Sequence, residues 1–309
     1  MALIKKANDL IDAKYKLGKN EQRLILYLLS TIQRTDKDFQ RYYFNFSDLV
    51  NVLGMEKMSV YRDIWNIRES LLSNSIIFER EPGYTSGYNW CSSFDINDND
   101  KTIMLSFHPD LMPFLLELKS KFTTYNLKYV TGFNSKHAFR IYEICKKQYN
   151  LDTLHKKRKY GKLLITINDL KEILMLLYKD PKTKEIINKY KRILDLKKNV
   201  INPAIKDINE HSDLLISVKY YKTRRSITDI EFTIKNKLAN CKNEKQEKMI
   251  IADVNKQVQT QKKQEEQKQK SAEKTKIWDA MSAEDKQKNY PGGSGYIKFM
   301  AEFAKKYKS

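Results

Sequence analysis

An internal repeat is the feature that most limits what this chain can fold into. The segments "FSDLVNVL" (residues 46–53) and "INDLKEIL" (residues 167–174) share one pattern: a capping residue, Asp, Leu, two variable residues, an aliphatic residue and Leu. Ser47 corresponds to Asn168 as the cap, and Asp48 corresponds to Asp169. One short match is weak by itself, but a match whose surroundings also repeat indicates a duplicated structural unit.

The surroundings do repeat. A capped amphipathic helix precedes each motif, opened by Asn20 before "EQRLILYLLSTIQ" and by Ser135 before "KHAFRIYEICKKQY". A short strand follows, "RYYFNF" in the first copy and "KLLIT" in the second. After each motif come a second amphipathic helix (59–72 and 190–211) and two β-prone runs. These runs are "SIIFERE" with "KTIMLSF", then "LLISVKYYK" with "SITDIEFTI".

Helix, strand, helix, helix and β-hairpin is the order of elements in a winged helix. The fold class predicted is therefore α+β, with two tandem winged-helix domains followed by a basic helical or disordered C-terminal tail. The expected domains are 1–128 and 129–236. A Lys/Gln/Glu-rich linker then covers 237–276, because its few apolar residues cannot bury a core, and a small helical appendix covers 277–309.

The charge of the chain limits its partners. The formal net charge is +20 at pH 7, which indicates a polyanion, either nucleic acid or an acidic membrane surface. No window approaches the roughly 18 apolar residues of a spanning helix, and the start has no signal-peptide pattern, so we expect a soluble, cytoplasmic protein. Three cysteines at unrelated spacings indicate neither a disulfide framework nor a zinc site.

The helix after the turn of a winged helix lies in the DNA major groove, and the hairpin wing contacts the backbone or the minor groove. On the first such helix, Val60, Ile64, Ile67 and Leu71 form an apolar stripe. The opposite face carries the predicted DNA-binding residues Ser59, Arg62 and Asn66. Arg and Asn can contact guanine and adenine edges through paired hydrogen bonds, which suits sequence recognition.

The second such helix has a basic first half. Its apolar stripe is Ile193, Leu196, Val200, Ala204 and Ile208. Five predicted DNA-binding residues lie outside this stripe: Lys191, Arg192, Lys198, Asn199 and Asn202. Lys197, also a predicted contact, falls on the apolar side and has to extend its amine past it. At the tip of the following wing we expect phosphate contacts from Lys219, Lys222, Arg224 and Arg225.

Pro203 interrupts this second helix. Proline inside a helix removes a hydrogen bond and kinks the chain, whereas Asn202 and Pro203 would also suit the start of a new helix. The repeat favours one long kinked helix, with a DNA-contacting half before Pro203 and a buried half after it.

Two blocks, "FTTYNLKYVTGFNSKHAFRIYEICKKQY" and "LDLKKNVINPAIKDINEHSDLLISVKYYKTRRSITDIEFTI", resemble signature regions of the plasmid replication initiators of the Rep_3 or RepB type. The early "NDLIDAKYKLGKNEQRLI" is similar to the opening of that family, and the likeness covers about residues 3–235. The resemblance implies monomers that bind directly repeated origin sequences (iterons) in double-stranded DNA, open an AT-rich segment, and recruit the host initiator and helicase. It also implies homodimers, paired through the N-terminal domain, that repress their own gene.

The same resemblance implies that residues 190–198 supply the main base and phosphate contacts. Relatives commonly have arginine where this chain has Lys197 and Lys198, and lysine provides a point charge rather than paired hydrogen bonds to guanine. The tail after about residue 236 matches no part of the family, and its apolar residues after Lys276 suggest a contact with a host replication protein.

Other classes are less favoured. The isolated histidines form no HxH pair and no GxxxxGK[ST] is present, so the sequence predicts no enzyme, no cofactor and no metal. "FDINDNDKT" lacks the glycine and final Glu of a calcium loop, which favours a hairpin turn. "HPDLMPFLLELKSKF" predicts an amphipathic helix. Two alternatives stay open: a dedicated transcriptional repressor, and a non-catalytic cationic scaffold whose tail binds membranes or acidic proteins.

Overall fold

The computed structural model describes residues 2–32, 38–54, 57–81, 83–118, 121–155, 158–180 and 183–238. These residues belong to one compact unit, Met1–Asn240. The expected appendix at 277–309 and nearly all of the expected linker lie outside the described residues. In the part of the chain that is described, no helix has the length and apolar character needed to span a bilayer.

The first half of the unit contains one winged helix with additional strands. Its elements in chain order are β1 (Leu3–Ala7), α1 (Asn8–Asp12), α2 (Lys19–Thr31), β2 (Tyr42–Asn45), α3 (Phe46–Leu53), α4 (Lys57–Ser73), β3 (Ser75–Glu81), β4 (Tyr84–Asn89), β5 (Cys91–Asn97), β6 (Thr102–Phe107), α5 (Met112–Leu115) and β7 (Phe122–Asn126).

The second half contains the other winged helix. Its elements are α6 (Lys136–Asn150), β8 (Gly161–Thr166), α7 (Ile167–Ile173), β9 (Leu177–Lys179), β10 (Ile186–Asn188), α8 (Ile193–Leu196), α9 (Asn202–His211), β11 (Leu214–Thr223) and β12 (Ser226–Asn236). A π-helical turn, Lys197–Ile201, joins α8 to α9 without a break, so the chain is helical from Ile193 to His211. We call this continuous element the 193–211 helix.

The two halves share a sheet topology. The sheet of the first half has the order β2-β6-β5, and that of the second has the order β11-β12-β8. In both, the last strand lies between the first and the second, and every pair is antiparallel. Each half also has its helices in the predicted order, α2, α3 and α4 in one and α6, α7 and the 193–211 helix in the other. The prediction of two tandem winged helices in an α+β fold is confirmed.

The hairpin predicted for the first half was paired wrongly. β3, the run "SIIFERE", pairs with β4, and β6, the run "KTIMLSF", pairs with β5 and β2. β4 and β5 were not predicted because Gly and Asn in β4, and Asp and Asn in β5, have low strand propensity. The packing of residues such as Phe94, which is 2% exposed, stabilises β5 as a strand. The first wing is therefore the β5–β6 hairpin, and β3–β4 is an insertion before it.

The second half has an insertion at a different place. The short hairpin β9–β10 lies between α7 and the 193–211 helix, where the sequence predicted a direct connection. The helix starts at Ile193 rather than at Tyr190, because Tyr190 has a φ of +53° and Arg192 is an extended N-cap. A left-handed residue cannot continue a right-handed helix. Lys191 and Arg192 thus precede the helix instead of lying within it.

The caps of the repeated motif differ from those predicted. Asn45 caps α3 in a capping box with Asp48, and Thr166 caps α7 by accepting a hydrogen bond of 3.0 Å from the backbone N–H of Asp169. A capping side chain bonds to the N–H two or three residues ahead, so the cap lies before the position occupied by Ser47 and Asn168. The helix predicted from "HPDLMPFLLELKSKF" is also shorter, because α5 ends at Leu115.

Buried charges join the two halves. Glu143 on α6 is 2% exposed and accepts hydrogen bonds from Lys6 at 2.7 Å, from Arg140 at 3.2 Å and from Tyr125. Burial by itself raises the pKa of Glu143, but the charges of Lys6 and Arg140 outweigh it, so the net pKa is lowered. Nearer the surface, the Nζ atom of Lys14 contacts two carboxylates. One is Glu79 of β3 in the first half, at 2.5 Å, and the other is Glu172 of α7 in the second half, at 2.6 Å.

Candidate nucleic-acid interface

Helix α4 has one apolar and one polar face. Val60, Ile64, Ile67 and Leu71 are at most 2% exposed, so the predicted apolar stripe is the buried one. On the other face the side chain of Arg62 is 75% exposed and lies 3.2 Å from Asp63, while Asn66 is exposed and Ser59 is half-buried. The structure therefore leaves the polar groups of Arg62 and Asn66 accessible to a ligand.

Two large apolar residues share this solvent face and were not predicted. Met58 is 80% exposed and Trp65 is 47% exposed. Both were detectable in the sequence, since neither belongs to the apolar stripe at helical spacing. A methionine and a tryptophan outside that stripe already indicate an exposed apolar contact surface.

The 193–211 helix is continuous through Pro203, which confirms one long helix rather than a new helix start, and the predicted kink stays a prediction. Leu196, Val200, Ala204 and Ile208 are at most 1% exposed. At about 100° per residue, steps of four residues drift by about 40° each in a regular α-helix. The π turn at Lys197–Ile201 has more residues per turn, so it offsets part of this drift and keeps the apolar residues on one side. Pro203 lies in the first turn of α9, directly after the π turn, where the loss of its backbone N–H is least unfavourable.

The solvent face of this helix carries the predicted polar residues. Lys198, Asn199 and Asn202 are exposed on it, and Lys191 and Arg192 are exposed just before it. Two of these groups are already engaged within the protein: Arg192 lies 3.8 Å from the carboxylate of Asp195, and the Asn199 side-chain N–H donates to the Asp195 carbonyl at 3.0 Å.

Lys197 differs from its neighbours. Its Nζ atom lies 3.6 Å from the ring centroid of Tyr220 on β11, and the lysine is half-buried. A cation over an aromatic face is held by the ring quadrupole. Burial also raises the pKa of Tyr220, so this ring remains a neutral phenol. Lys197 thus connects the helix to the wing, which was not predicted.

The second wing is basic at its tip. Arg224 and Arg225 form the two-residue turn between β11 and β12, and Lys222 lies just before it, all exposed. Lys219 was expected at the tip, but it lies within β11 with its Nζ atom 4.9 Å from the Tyr221 ring centroid, because the strand extends to Thr223. Arg224 has a φ of +57°, a conformation that glycine adopts at lower cost.

The first wing is acidic. Its turn, residues 98–101, carries Asp98, Asp100 and one cation, Lys101, whose Nζ atom lies 5.3 Å from the Tyr61 ring centroid. Asn97 holds the turn by donating to Asp100 at 2.6 Å and accepting from the N–H of Asn99 at 3.0 Å. The prediction of a hairpin turn here is confirmed. Among the described residues, no group of three His, Cys, Asp or Glu side chains is placed to hold a metal ion.

Two winged helices with the same strand order, each with an exposed polar face on its third helix, define this chain as a tandem winged-helix protein, a class built from nucleic-acid-binding folds. Comparison with protein families identifies the family within this class. Residues 3–146 match the family "Initiator Replication protein, WH1", and residues 166–234 match "Initiator Rep protein, WH2". The chain therefore belongs to the family of plasmid Rep initiator replication proteins, as the resemblance of its sequence blocks indicated.

Two known proteins are similar to this chain. A replication initiation protein of Escherichia coli is 25% identical over 220 residues, which are 69% of this chain and 64% of that protein, so the chain spans less than two thirds of its relative. The Pi initiator protein, solved in complex with iteron DNA, aligns with a TM-score of 0.61 at 18% identity, covering 76% of this chain and 97% of that one. This structural likeness shows the fold.

Proposed function

We propose that this protein binds double-stranded origin DNA in a sequence-specific manner and initiates plasmid replication. The observation that carries the proposal is the repetition of one winged helix, with the same strand order and an exposed polar third helix in both copies, within one compact unit. Two unlike recognition helices on one chain suit an asymmetric, directly repeated site. A dedicated repressor would instead use one domain twice through two-fold symmetry.

The charges of the wings support a division of tasks between the two domains. The second wing presents Lys222, Arg224 and Arg225 to phosphates, whereas the first presents Asp98 and Asp100, which phosphates repel. We expect the C-terminal domain to provide most of the backbone contacts. The N-terminal domain then approaches DNA through α4, with Arg62 and Asn66 directed at base edges.

The role is one of binding and assembly. Bound monomers help to open an AT-rich segment and recruit the host initiator and the replicative helicase, and a homodimer paired through the N-terminal domain represses the gene of the protein itself. The membership of the Rep family supports these roles. Each of these roles needs only protein–DNA and protein–protein contacts. The proposed function therefore requires no enzymatic activity and no cofactor.

A footprint of the full chain on DNA next to its own gene tests the proposal. We expect protection of direct repeats spaced by about 20 base pairs, two helical turns, as tandem domains in successive grooves require. Protection that does not differ from random DNA would favour the cationic scaffold. Protection without support of replication in cells would favour the repressor.

The C-terminal segment has its own test. A chain ending at Asn240 keeps Lys237, which is 8% exposed and donates to the carbonyl oxygens of Asn209 at 2.6 Å and Ser212 at 2.9 Å. We expect this truncated chain to bind the repeats as the full chain does but to lose replication in cells, because the removed segment contacts a host replication protein. Full replication by the truncated chain would refute that contact.

A further inference from the structure

Leu194 is a large apolar side chain at the start of the 193–211 helix, and it is 63% exposed. It does not belong to the buried stripe, since Leu196 and Val200 fill that role at 1% and 0% exposure. The exposed Lys198 lies one turn ahead of it on the same face, and the exposed Lys191 and Arg192 lie in the chain just before the helix. This leucine gains free energy if a ligand covers it, and the cations near it attract a polyanion.

These surroundings determine which ligand suits Leu194. The cations beside it favour phosphates over an apolar protein surface, which would have to desolvate two lysines. Asp195, the nearest carboxylate along the chain, lies 3.8 Å from Arg192, which compensates its charge. Duplex DNA therefore fits the charge of this surface, and the proposed function places this helix in its major groove.

The major groove offers little to a leucine. Its base edges are hydrogen-bond donors and acceptors, and its only apolar group is the C5 methyl of thymine. A leucine that covers a donor or acceptor removes that group from water without replacing its hydrogen bond, which is unfavourable. A leucine that covers a methyl group buries two apolar surfaces together.

We propose that Leu194 is a specificity-determining residue that recognises thymine through contact with its C5 methyl group. The inference rests on the proposed function, because it needs this helix in the groove.

Replacement of thymine by uracil tests this inference, because it removes the methyl group alone. The probe is the duplex that the full chain enriches from a random-sequence pool, and each thymine is replaced in turn. We expect wild-type affinity to fall roughly fourfold at one or more positions, the effect of one buried methyl group. At one of those positions Leu194→Ala should bind the thymine and uracil probes equally.

Leu154→Ala is the matched control, since Leu154 is 74% exposed and lies outside both recognition helices. It should keep every uracil effect of the wild type. Thermal unfolding should show that both variants fold, because both leucines are exposed. The inference fails if uracil weakens binding at no position, or if Leu194→Ala retains all wild-type uracil effects. Failure to enrich any sequence from the pool would instead overturn the proposed function.

Discussion

The Nζ atom of Lys197 lies 3.6 Å from the centroid of the Tyr220 ring, and this contact holds the recognition helix against the first strand of the second wing. The hydroxyl of Tyr220 is buried without a hydrogen-bond partner among the described residues, so the ring is placed by packing and by the cation. A lysine engaged in this way positions the wing relative to the helix. We expect it to affect DNA binding without contacting a phosphate.

Lys197→Met should therefore weaken binding to the directly repeated site while leaving its salt dependence unchanged. The methionine keeps the apolar stem and removes the cation, whose contact with the ring is worth about 0.5–2 kcal/mol. Tyr220→Leu should have the same effect. The measurement is affinity against salt concentration, and Lys198→Ala is the control that should lower the slope by about one. A slope reduced by one in Lys197→Met would mean that Lys197 contacts a phosphate.

Arg192→Ala combined with Lys198→Ala should weaken specific binding by roughly 2–5 kcal/mol and lower the salt slope by about one to two. Both side chains are exposed at the start of the 193–211 helix, where they can reach bases and phosphates. Titration of the specific duplex and of a random duplex separates the two effects. Unchanged affinity and slope would show that this helix is not in the groove.

Arg224→Gly should weaken DNA binding without loss of stability. Glycine adopts the φ of +57° at this turn without the strain that arginine bears, so the free energy of unfolding should stay constant or rise by about 1 kcal/mol. Affinity for all DNA sequences should fall, and the salt slope should drop by about one. Chemical unfolding and salt titration measure the two quantities.

Asp98→Asn with Asp100→Asn provides the matched change in the first wing. It should not weaken binding, because it removes negative charge from a turn that phosphates avoid. Weaker binding by this variant would show that the first wing makes a favourable polar contact with DNA, and would contradict the proposed division between the domains.

His137 should make the fold sensitive to acid. It is 8% exposed on the first turn of α6, and burial, with smaller effects of Lys136 and Lys189, lowers its pKa to about 4. The unfolded state, with a pKa near 6.5, binds a proton first as pH falls, so stability is complete above about pH 6.5 and declines towards pH 4. His137→Gln should remove up to about 3 kcal/mol of this decline. Urea unfolding of both proteins at pH 7 and pH 4.5 measures it, and equal declines would contradict the assignment.

The candidate interface was only partly accessible from the sequence. Helical spacing correctly separated the buried stripe of α4 from Arg62 and Asn66, because burial of one face follows the helical period. Spacing gave no sign of the ring beneath Lys197, since Tyr220 is distant in the chain. The sequence also predicted Lys219 at a wing tip, whereas it lies within β11. Strand propensity alone cannot locate a hairpin turn to within three residues.

By itself, the sequence determined the class of fold, the order of the three helices in each winged helix, and the two faces of each recognition helix. These follow from local periodicity, which acts over a few residues. Tertiary structure decided the strand partners of "SIIFERE" and "KTIMLSF", the insertion of β9–β10, and the start of the helix at Ile193. Strand pairing joins residues distant in the chain, and its free energy comes from cross-strand packing, which local patterns do not encode.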